Sequence, residues 1–331
     1  MANMVARNRI THLFDCAGVG AVLVKEAKRQ HLSWRQIQGP WMRRGTRWAR
    51  YRFFGELVAN YPRTNLWHVH MGGRAKWARG RVERPYVLTL HGTDIRETYW
   101  QDEYHEAIKR DIDAAQHVFY ATPDLEEKAK RARVDAEYMP IALDFDLLSS
   151  WTPAAKPRVF FPSRWDRTKG GDGQIRVAKE VVAAVGDRAD VVGIDWGDRA
   201  ADASHVGVQL VPRMDVTGFL CEMAKAHVAV GQTAGILATS ELQAMAMGIP
   251  LVFPDPFDGY LSKKDRGALI VDRADAGYAV LELLRDPPSA SAKLGGKEYV
   301  SRHHDPARMV QRLSEVYREV LSGRTEQAVE G

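Results

Sequence analysis

A histidine directly follows a short apolar run in the stretch 85–94, PYVLTLHGTD. Residues 86–90 are apolar and β-prone, which predicts a parallel strand covered on both faces. Asp94 and Glu97 have the spacing of a capping box, so we expect a helix to open just after the strand. His91 would then lie at the carboxyl end of a strand, where open α/β sheets bind ligands. We interpret His91 as a candidate functional residue.

Two cations five residues apart stand in the segment 164–172, RWDRTKGGD. The segment follows a predicted strand and carries two glycines, which is typical of a loop at the carboxyl end of a strand. Arg164 offers a planar fork of donors and Lys169 a point charge, so the two can converge on one phosphate group. A solvated loop is the alternative interpretation.

A glycine-containing loop leads into a helix of small residues in the segment 231–250. Thr239 or Ser240 can cap this helix. Its first amides have no intrahelical acceptor and its dipole is positive there, which favours a diphosphate. Glu241 or Gln243, one turn further on, can hydrogen-bond ribose hydroxyls. A helix that only packs on a sheet is the alternative interpretation.

The elements that must position these residues alternate between strand and helix along the whole chain. The segment 151–157, WTPAAKP, has two prolines and no hydrophobic periodicity, which predicts a hinge between domains. Two βα halves around it predict an α/β protein with two doubly wound, Rossmann-like domains facing a cleft. The expected boundaries are 1–150 for the first domain, 151–157 for the hinge, 158–305 for the second domain, 306–322 for a terminal helix with a return to the first domain as one option, and 323–331 for a frayed tail.

Aromatic residues and arginines are concentrated in the segment 45–61, which we interpret as an amphipathic helix. We expect its large apolar residues to face a core and its arginines to be more exposed. The inward set is Trp48, Tyr51, Leu57 and Val58, and the outward set is Arg47, Arg50 and Arg52. A second expectation concerns residues 206–211, whose apolar character predicts a strand.

The composition is that of an ordinary globular protein, with 331 residues, 45% hydrophobic and 27% charged. The sequence contains no run of 18 apolar residues, so we predict no membrane-spanning helix. The first nine residues lack the apolar core of a secretory signal. The two cysteines, Cys16 and Cys221, are far apart and have no metal-ligand spacing. We therefore expect a cytoplasmic protein.

Positive charge is concentrated in the first quarter of the chain. Residues 1–84 hold 17 Lys and Arg against four acidic residues, a net charge of +13, whereas the whole chain has a net charge of +5. Such asymmetry indicates that this part meets an anionic partner. An arginine-rich proteome is the alternative explanation.

Several segments, taken in their order, resemble one enzyme family. The chain is similar to the retaining nucleotide-sugar glycosyltransferases of the GT-B fold, especially glycosyltransferase family 4 (glycosyl transferases group 1). The resemblance covers about residues 10–320. The matching segments are GVG at 18–20, LWHVH at 66–70, LTLHGTD at 88–94, YATPD at 120–124, PIALD at 140–144, the Arg164 to Lys169 loop, and QAMAMGIP at 243–250.

The resemblance implies a role for each matching residue. Arg164 and Lys169 would hold the donor diphosphate and offset charge on the leaving group, and His91 would contact the transferred sugar. The remaining donor-side candidates are Gly18, Gly20, Gly235, Glu241 and Gln243. The acceptor-side candidates are Asp94, Arg96 and Arg74.

The implied activity is transfer of a sugar from a nucleoside diphosphate sugar, UDP- or GDP-linked, to an acceptor in the interdomain cleft. The resemblance implies retention of anomeric configuration and no required metal or other cofactor. The basic residues of 1–84 favour a polyanionic acceptor or setting, either DNA with hydroxymethylated bases or a lipid at an anionic membrane surface. The alternatives are a catalytically degenerate GT-B protein that binds nucleic acid or membrane, and a sugar-nucleotide epimerase or hydrolase.

The sequence departs from the family pattern at two positions. Family 4 usually carries two glutamates eight positions apart, and here these positions hold Gly235 and Gln243. Gln243 can still bond a ribose hydroxyl, without the strength of a carboxylate. A separate expectation concerns metals: His68 and His70 share one face of a strand, but the sequence offers no third ligand beside them.

Overall fold

The computed structural model describes residues 8–40, 47–79, 84–255 and 267–327. The chain divides into two compact units. One comprises Met1–Ala142 together with Asp305–Gly331, and the other comprises Leu143–His304. Each unit contains one six-stranded parallel sheet, which confirms the predicted α/β class with two Rossmann-like domains.

The strands of the first unit are short and largely buried, as expected for parallel strands covered on both faces. They pair in the order β2-β1-β3-β4-β5-β6. Their bounds are β1 Ile10–Leu13, β2 Trp34–Ile37, β3 Leu66–His70, β4 Tyr86–Leu90, β5 His117–Tyr120 and β6 Glu137–Tyr138. Phe14, Phe53 and Trp67 are among the largest side chains of the core in this unit.

Six α-helices belong to the first unit within the described residues. They are α1 Val19–Arg29, α2 Arg47–Asn60, α3 Thr93–Arg96, α4 Asp102–Ala114, α5 Glu126–Ala132 and, at the end of the chain, α13 Pro306–Gln327. The terminal helix is tied to β6 because Arg312 makes a bidentate ion pair with Glu137, at 2.8 and 2.6 Å. The helix continues to residue 327, past the predicted end at 322.

The second unit repeats the architecture. Its strands pair in the order β12-β11-β10-β7-β8-β9. They are β7 Arg158–Phe161, β8 Asp190–Asp195, β9 Gln209–Pro212, β10 Val228–Val230, β11 Leu251–Pro254 and β12 Leu269–Val271. The α-helices described in this unit are α6 Asp172–Val185, α7 Ala200–His205, α8 Val216–Met223, α9 Thr239–Met247, α10 Ala276–Arg285, α11 Pro287–Leu294 and α12 Gly296–His303.

Both sheets have a topological switch point, where two neighbouring strands lead to connections on opposite sides. In the first unit it lies between β1 and β3, and in the second unit between β7 and β10. The connections diverge from the carboxyl ends of these strands and leave a crevice there, which is where ligands bind in open α/β sheets. The switch points therefore indicate where a functional site in each unit belongs.

The predicted orientation of the aromatic helix is confirmed for Leu57, which packs against the core, and for its three exposed arginines, but it is wrong for the other apolar residues. Helix α2 buries Ala49 and Phe53, whereas Trp48, Tyr51 and Val58 are 82%, 68% and 72% exposed. Phe53 is drawn inward by a stacked contact with Phe14, with ring centroids 5.9 Å apart. Large apolar residues occur all around this helix, so periodicity alone could not show which side the core would take. Residues 45 and 46 of the prediction lie outside the described residues.

Three further segments differ from their predictions. Residues 151–157 lie inside the second unit, where Trp151 Nε1 donates to the carbonyl of Ala226 at 2.7 Å. The strand predicted at 206–211 begins only at residue 209, after helix α7. Helices α11 and α12 were not predicted, although Asp286 before Pro287 is a helix-start signal and caps the Ser289 amide at 3.1 Å.

Within the described ranges, none of the helices combines the length and the apolar character that a membrane crossing requires.

Candidate functional site

The loop after β7 brings Arg164 and Lys169 to the switch point of the second unit. Trp165 anchors this loop because its side chain is fully buried and its Nε1 donates to the carbonyl of Ile194 at 3.1 Å. A Cβ on Gly193 would meet the Trp165 ring at 2.7 Å, so glycine makes room for it on the neighbouring strand. The sequence thus fixes the loop through one buried indole.

Arg164 is held by its own loop. Its guanidinium forms an ion pair with Asp166, donates to Thr168 Oγ1 at 3.1 Å and lies 5.5 Å from the centre of the Trp196 ring. The side chain is 37% exposed, so it can still meet a ligand. Such contacts restrict the rotamers of a long side chain and lower the entropy lost when it binds an anion.

The loops after β7 and β10 touch at Gly170. The Thr233 amide donates to the carbonyl of Lys169 at 3.2 Å. A Cβ on Gly170 would lie 1.9 Å from Thr233 Oγ1, and the glycine has a φ of 113°. Only glycine permits this approach and this backbone conformation. The contact places Lys169 beside the start of the 231–250 segment, as the two predicted phosphate-binding segments require.

The side chain of Glu241 links the same two loops by hydrogen bonds. Its side chain is fully buried. One carboxylate oxygen accepts from Ser163 Oγ at 2.6 Å and from the Gln232 amide at 3.3 Å, and the other accepts from Ser240 Oγ at 2.9 Å. These protein donors occupy the carboxylate that we expected to reach ribose. Glu241 therefore braces the loops of the site.

The start of helix α9 differs in detail from its prediction. Ala238 is the N-cap residue, and neither Thr239 nor Ser240 caps the helix with its side chain. Gly235 has a φ of 74° and is buried, whereas Gln243 is half-buried. Of the predicted ribose-binding side chains, only Gln243 remains partly accessible.

Three polar residues that the sequence analysis did not select belong to the same site. Both side-chain amide atoms of Gln174 and Gln232 and the hydroxyl of Thr233 are buried and have no hydrogen-bond partner among the described residues. A buried polar group without a partner is costly, so this concentration marks a place where a polar ligand belongs. The signal in the sequence was position: Gln232 and Thr233 follow β10, and Gln174 is in the first turn of α6.

A third cation lies next to these residues. Arg273, directly after β12, donates to the carbonyl of Thr233 at 3.2 Å and pairs with Asp255 at 2.6 Å. Its Nη1 would lie 2.9 Å from a Cβ on Gly173, in the first turn of α6. No local pattern associates Arg273 with Thr233, 40 positions earlier, because the two residues meet only through the order of the strands in the sheet.

The glycines Gly18 and Gly20 flank the switch point of the first unit. Gly18 is the N-cap of α1 with a φ of 80°, and a Cβ there would meet nothing within 4 Å. Gly20 lies in the first turn of α1. Its amide donates to Asp15 at 2.9 Å, and a Cβ would meet Gln36 Nε2 at 2.9 Å. Gly18 leaves the backbone approachable, while Gly20 makes room for side chains of the protein.

Asp94 shapes the turn that carries His91. Its buried carboxylate accepts from the amides of Gly92 at 2.8 Å and Gly72 at 2.9 Å, and more weakly from that of His91 at 3.2 Å. The predicted capping box is wrong, because Gly92 is the N-cap and α3 ends at Arg96. Asp94 instead binds the loops after β3 and β4 together. This use of its oxygens makes it a support for His91 more than a contact for an acceptor.

The two predicted basic acceptor-side residues occupy different surroundings. Arg96 donates twice to Asp124, at 2.9 and 2.6 Å, and is 28% exposed. Its guanidinium lies beside Gly92, where a Cβ would be 2.9 Å from Nη1. Arg74 is half-buried at the start of a short 3-10 turn. Arg96 thus lies close to the His91 turn.

A column of buried histidines crosses the sheet of the first unit behind His91. His12 pairs in register with His68, and His70 with Thr89. His70 Nδ1 lies 2.9 Å from His91 Nε2. Burial lowers the pKa of His12 to about 3 and lowers the pKa values of His68 and His70 well below their ordinary range. These rings are therefore neutral near pH 7.

The third ligand that the sequence did not offer beside His68 and His70 is His12. One nitrogen from each ring lies within 4.8 Å of the others, the one group of metal-ligand type found among the described residues. The same nitrogens are engaged in hydrogen bonds: His12 Nδ1 lies 3.0 Å from His70 Nε2, and His68 Nε2 lies 2.7 Å from Thr89 Oγ1. Hydrogen bonding alone accounts for the cluster.

The comparisons with known proteins agree with this architecture. No family model matches the chain. A sucrose-phosphate synthase from Thermosynechococcus elongatus superposes with a TM-score of 0.66 at 17% identity, covering 96% of this chain and 100% of that one. HepE from Anabaena, in complex with UDP-glucose, superposes with a TM-score of 0.68 at 13% identity, covering 94% and 99%. The chain has the GT-B fold.

A curated relative adds a match in sequence. The chain is 24% identical over 216 residues to a putative teichuronic acid biosynthesis glycosyltransferase, TuaC, of Bacillus subtilis (strain 168). The match spans 59% of this chain and 54% of the relative, about half its length. The resemblance to nucleotide-sugar glycosyltransferases with the GT-B fold, expected from the order of the segments, is thereby confirmed.

The histidine column predicts a loss of stability in mild acid. The unfolded chain binds protons near pH 6.5, whereas the folded rings resist them, so stability falls as the pH drops from about 6.5 towards 3. At pH 5 each ring should contribute a loss of about 2 kcal/mol in the free energy of unfolding. Urea unfolding at several pH values measures the slope. His68→Gln should lower the slope of stability against pH. His205→Asn, at an exposed position, is the control and should leave the slope unchanged. A stability independent of pH between 7 and 5 would contradict the neutral, buried state of these rings.

Two glycines with positive φ test the contact between the loops. Gly170→Ala should lower the free energy of unfolding of the second unit by roughly 3 kcal/mol, since its methyl group would overlap Thr233 and its φ is unfavourable. Gly295→Ala is the matched control in the same unit, because Gly295 is left-handed with a φ of 65° and its nearest heavy atom is 3.8 Å away; it should cost only about 1 kcal/mol. Thermal unfolding compares the two, and equal losses would argue against the loop contact.

Proposed function

We propose that this protein transfers a sugar from a UDP-sugar to an acceptor held at an anionic lipid surface. The observation that carries the transferase assignment is the position of Arg164 and Lys169 on the loop after β7, at the switch point of the second unit, near the starts of α6 and α9. The relatives support it, because HepE was obtained with UDP-glucose and TuaC is described as a glycosyltransferase. The 24% identity of TuaC makes the activity itself a proposal.

The cations would bind the donor diphosphate and offset the charge that develops when it leaves. In the reaction, the bond between the anomeric carbon and the diphosphate oxygen breaks, and a bond to the acceptor oxygen forms. The acceptor proton passes to the departing diphosphate. Arg164 and Lys169 stabilise this leaving group electrostatically, which is usually a large part of catalysis. The resemblance to family 4 supports retention of configuration.

The donor sugar and ribose would be held differently from the family pattern. Gly235 has no side chain to offer a sugar hydroxyl, and Glu241 is occupied by protein donors. Gln243 would bond the ribose as a neutral partner, which contributes less than a carboxylate. The buried amides of Gln174 and Gln232 supply the polar groups that the missing glutamates do not. The resemblance to family 4 supports a contact of His91 with the transferred sugar.

Lys169→Ala provides the direct test of the transferase. We expect kcat/KM for sugar transfer to fall roughly 10²- to 10³-fold, because one cation of the leaving-group site is lost. Release of UDP from UDP-glucose and UDP-N-acetylglucosamine is measured with and without lipid extract. Lys179→Ala, an exposed lysine on α6, is the control and should be unchanged. A chelator should leave the activity intact, since side chains supply the positive charge.

Binding of UDP tests the site without turnover. UDP at about 100 times its Kd should stabilise the second unit by about 2.7 kcal/mol, and GDP should have a smaller effect. Equal activity of Lys169→Ala and the parent would contradict the proposal. So would salt-sensitive binding of DNA without any sugar transfer, which would instead support a degenerate binding protein.

The surface of α2 supports an anionic lipid setting. Trp48, Tyr51 and Val58 lie on one side of the helix and are exposed, and Arg47, Arg50 and Arg52 are exposed beside them. Aromatic rings settle in the interface of a bilayer and arginines pair with anionic headgroups. DNA binding would also use the arginines, but three exposed apolar side chains on one side of the helix favour a lipid surface.

The lipid surface is tested by sedimentation with vesicles. The test vesicles contain phosphatidylcholine with ~30% phosphatidylglycerol, which is an anionic lipid. The double variant Trp48→Ala/Tyr51→Ala should bind these vesicles more weakly than the parent. Arg47→Ala/Arg50→Ala should weaken vesicle binding about thirtyfold, at about 1 kcal/mol per arginine. Tyr278→Ala is the control, because Tyr278 is 68% exposed, as Tyr51 is, but lies on α10. Stronger binding to DNA than to vesicles would overturn the lipid assignment.

A further inference from the structure

The buried histidines of the first unit form one continuous series of hydrogen bonds that ends at His91. We call this series the histidine chain. Its members, in order, are Thr89, His68, Tyr317, His12, His70 and His91. Five of the six are buried, and His91 at the end is half-buried. The proposed function places His91 at the transferred sugar, but it assigns nothing to the residues behind it.

The links of the chain have hydrogen-bond geometry. His68 Nε2 lies 2.7 Å from Thr89 Oγ1, and its Nδ1 bonds the hydroxyl of Tyr317. That hydroxyl lies 3.4 Å from His12 Nε2. The series continues from His12 Nδ1 to His70 Nε2 at 3.0 Å, and from His70 Nδ1 to His91 Nε2 at 2.9 Å. Each buried ring uses both of its nitrogens.

Neutrality makes the direction of these bonds an all-or-none property. A neutral imidazole carries one N–H and one lone pair, so it must accept on one side and donate on the other. Burial lowers the pKa of each of the four rings, which keeps them neutral. Between His68 and His12, the Tyr317 hydroxyl must accept from one ring and donate to the other, because accepting from both would leave its hydrogen buried without an acceptor. The chain therefore has two arrangements, with every proton directed towards His91 or every proton directed away from it.

Thr89 decides between the two arrangements. Its hydroxyl is buried, and within the described part of the chain its single hydrogen-bond partner is His68 Nε2. If His68 donated to it, the threonine hydrogen would be left buried without an acceptor, at a cost of about 1–3 kcal/mol. Donation from Thr89 to His68 avoids this cost. All protons then point towards His91, and His91 accepts at Nε2.

We propose that the histidine chain fixes His91 in the tautomer with hydrogen on Nδ1, so that His91 offers a ligand a hydrogen-bond donor. His91 Nδ1 has no hydrogen-bond partner among the described residues. A donor at this nitrogen suits a sugar hydroxyl or a phosphate oxygen. Thr89, His68, Tyr317, His12 and His70 are positioning residues in this scheme, and the scheme rests on the proposed function only for the identity of the ligand.

Nuclear magnetic resonance of the histidine rings tests the tautomer without turnover. In protein labelled with ¹⁵N-histidine, two-bond correlations distinguish a protonated Nδ1 from a protonated Nε2. We expect His91 in the parent to show a single Nδ1–H tautomer. Tyr317→Phe removes one hydroxyl, breaks the chain in its middle, and should give His91 a mixture of both tautomers. A single Nε2–H tautomer of His91 in the parent would overturn the proposal.

A matched control separates this effect from ordinary loss of a buried hydroxyl. Tyr86 is buried in the same sheet and donates to the carbonyl of Asp111 at 2.6 Å, outside the chain. Tyr86→Phe should leave the tautomer of His91 unchanged. Thr89→Val, at the far end of the chain, should shift it as Tyr317→Phe does. If Tyr317→Phe does not fold, Thr89→Val tests the same prediction. An unchanged tautomer of His91 in a folded variant of either residue would overturn the proposal.

Activity and metal binding give two further readouts. Tyr317→Phe should lower kcat about tenfold, less than the roughly 10²- to 10⁴-fold effect of a positioned acid or base, because His91 itself is retained. KM for the UDP-sugar should be unchanged. Absence of any transferase activity would refute the proposed function and leave the tautomer result standing. Stoichiometric zinc that raises the melting temperature of the parent, but not of His12→Gln, would show a metal site in place of the hydrogen-bonded chain and overturn it.

Discussion

A buried carboxylate at the carboxyl ends of the strands holds each candidate site in shape. Asp94 accepts from the amides of Gly72 and Gly92 in the first unit, and Glu241 accepts from Ser163 and Gln232 in the second. Each carboxylate links the loops of two neighbouring strands. Bonds to a charged acceptor contribute more than neutral ones, and removing the acceptor would leave buried donors unsatisfied. The turns that carry His91 and Lys169 depend on these two side chains.

The same constraint explains why the acidic residues are not the ligand contacts. In each unit two neighbouring loops at the carboxyl edge of the sheet have amides that no strand pairs, so a polar group is needed between the loops to accept from them. Once a carboxylate does this, its oxygens are no longer available to a substrate. The groups left for a ligand in the second unit are cations and amides, Arg164, Lys169, Gln174 and Gln232. This set suits an anionic donor with many hydroxyls.

In the histidine chain, residues buried in a sheet set the tautomer of a histidine at the candidate site. Parallel register places His12 beside His68, and β4 places Thr89 beside His70. Helix α13 closes the series with Tyr317, although it is more than 200 residues away in sequence. Because the rings of His12, His68 and His70 are buried and neutral, a change at any link alters the hydrogen bond that His91 receives. A histidine that appears singly in the sequence is thus one end of a six-residue unit.

Local sequence patterns were sufficient to predict the fold class and to select the residues of both candidate sites. Continuous apolar runs such as 86–90 and 159–162 favour buried parallel strands, and polar residues directly after them must lie at the carboxyl edge. His91, Arg164 and Lys169 were accessible to this reasoning because it depends only on local pattern. The resemblance to the GT-B family followed from the order of such segments.

Packing between distant segments determines which side chains are buried and which polar groups are paired. Helix α2 has apolar residues on every side, so the choice between Trp48 and Phe53 for the core depended on Phe14 from another element. Glu241 and Asp94 are polar in type, and their burial followed from the loops that close over them. His12, Tyr317 and Arg273 joined their sites through sheet order and the return of the terminal helix. Contacts between distant segments arise from packing, which no local pattern specifies.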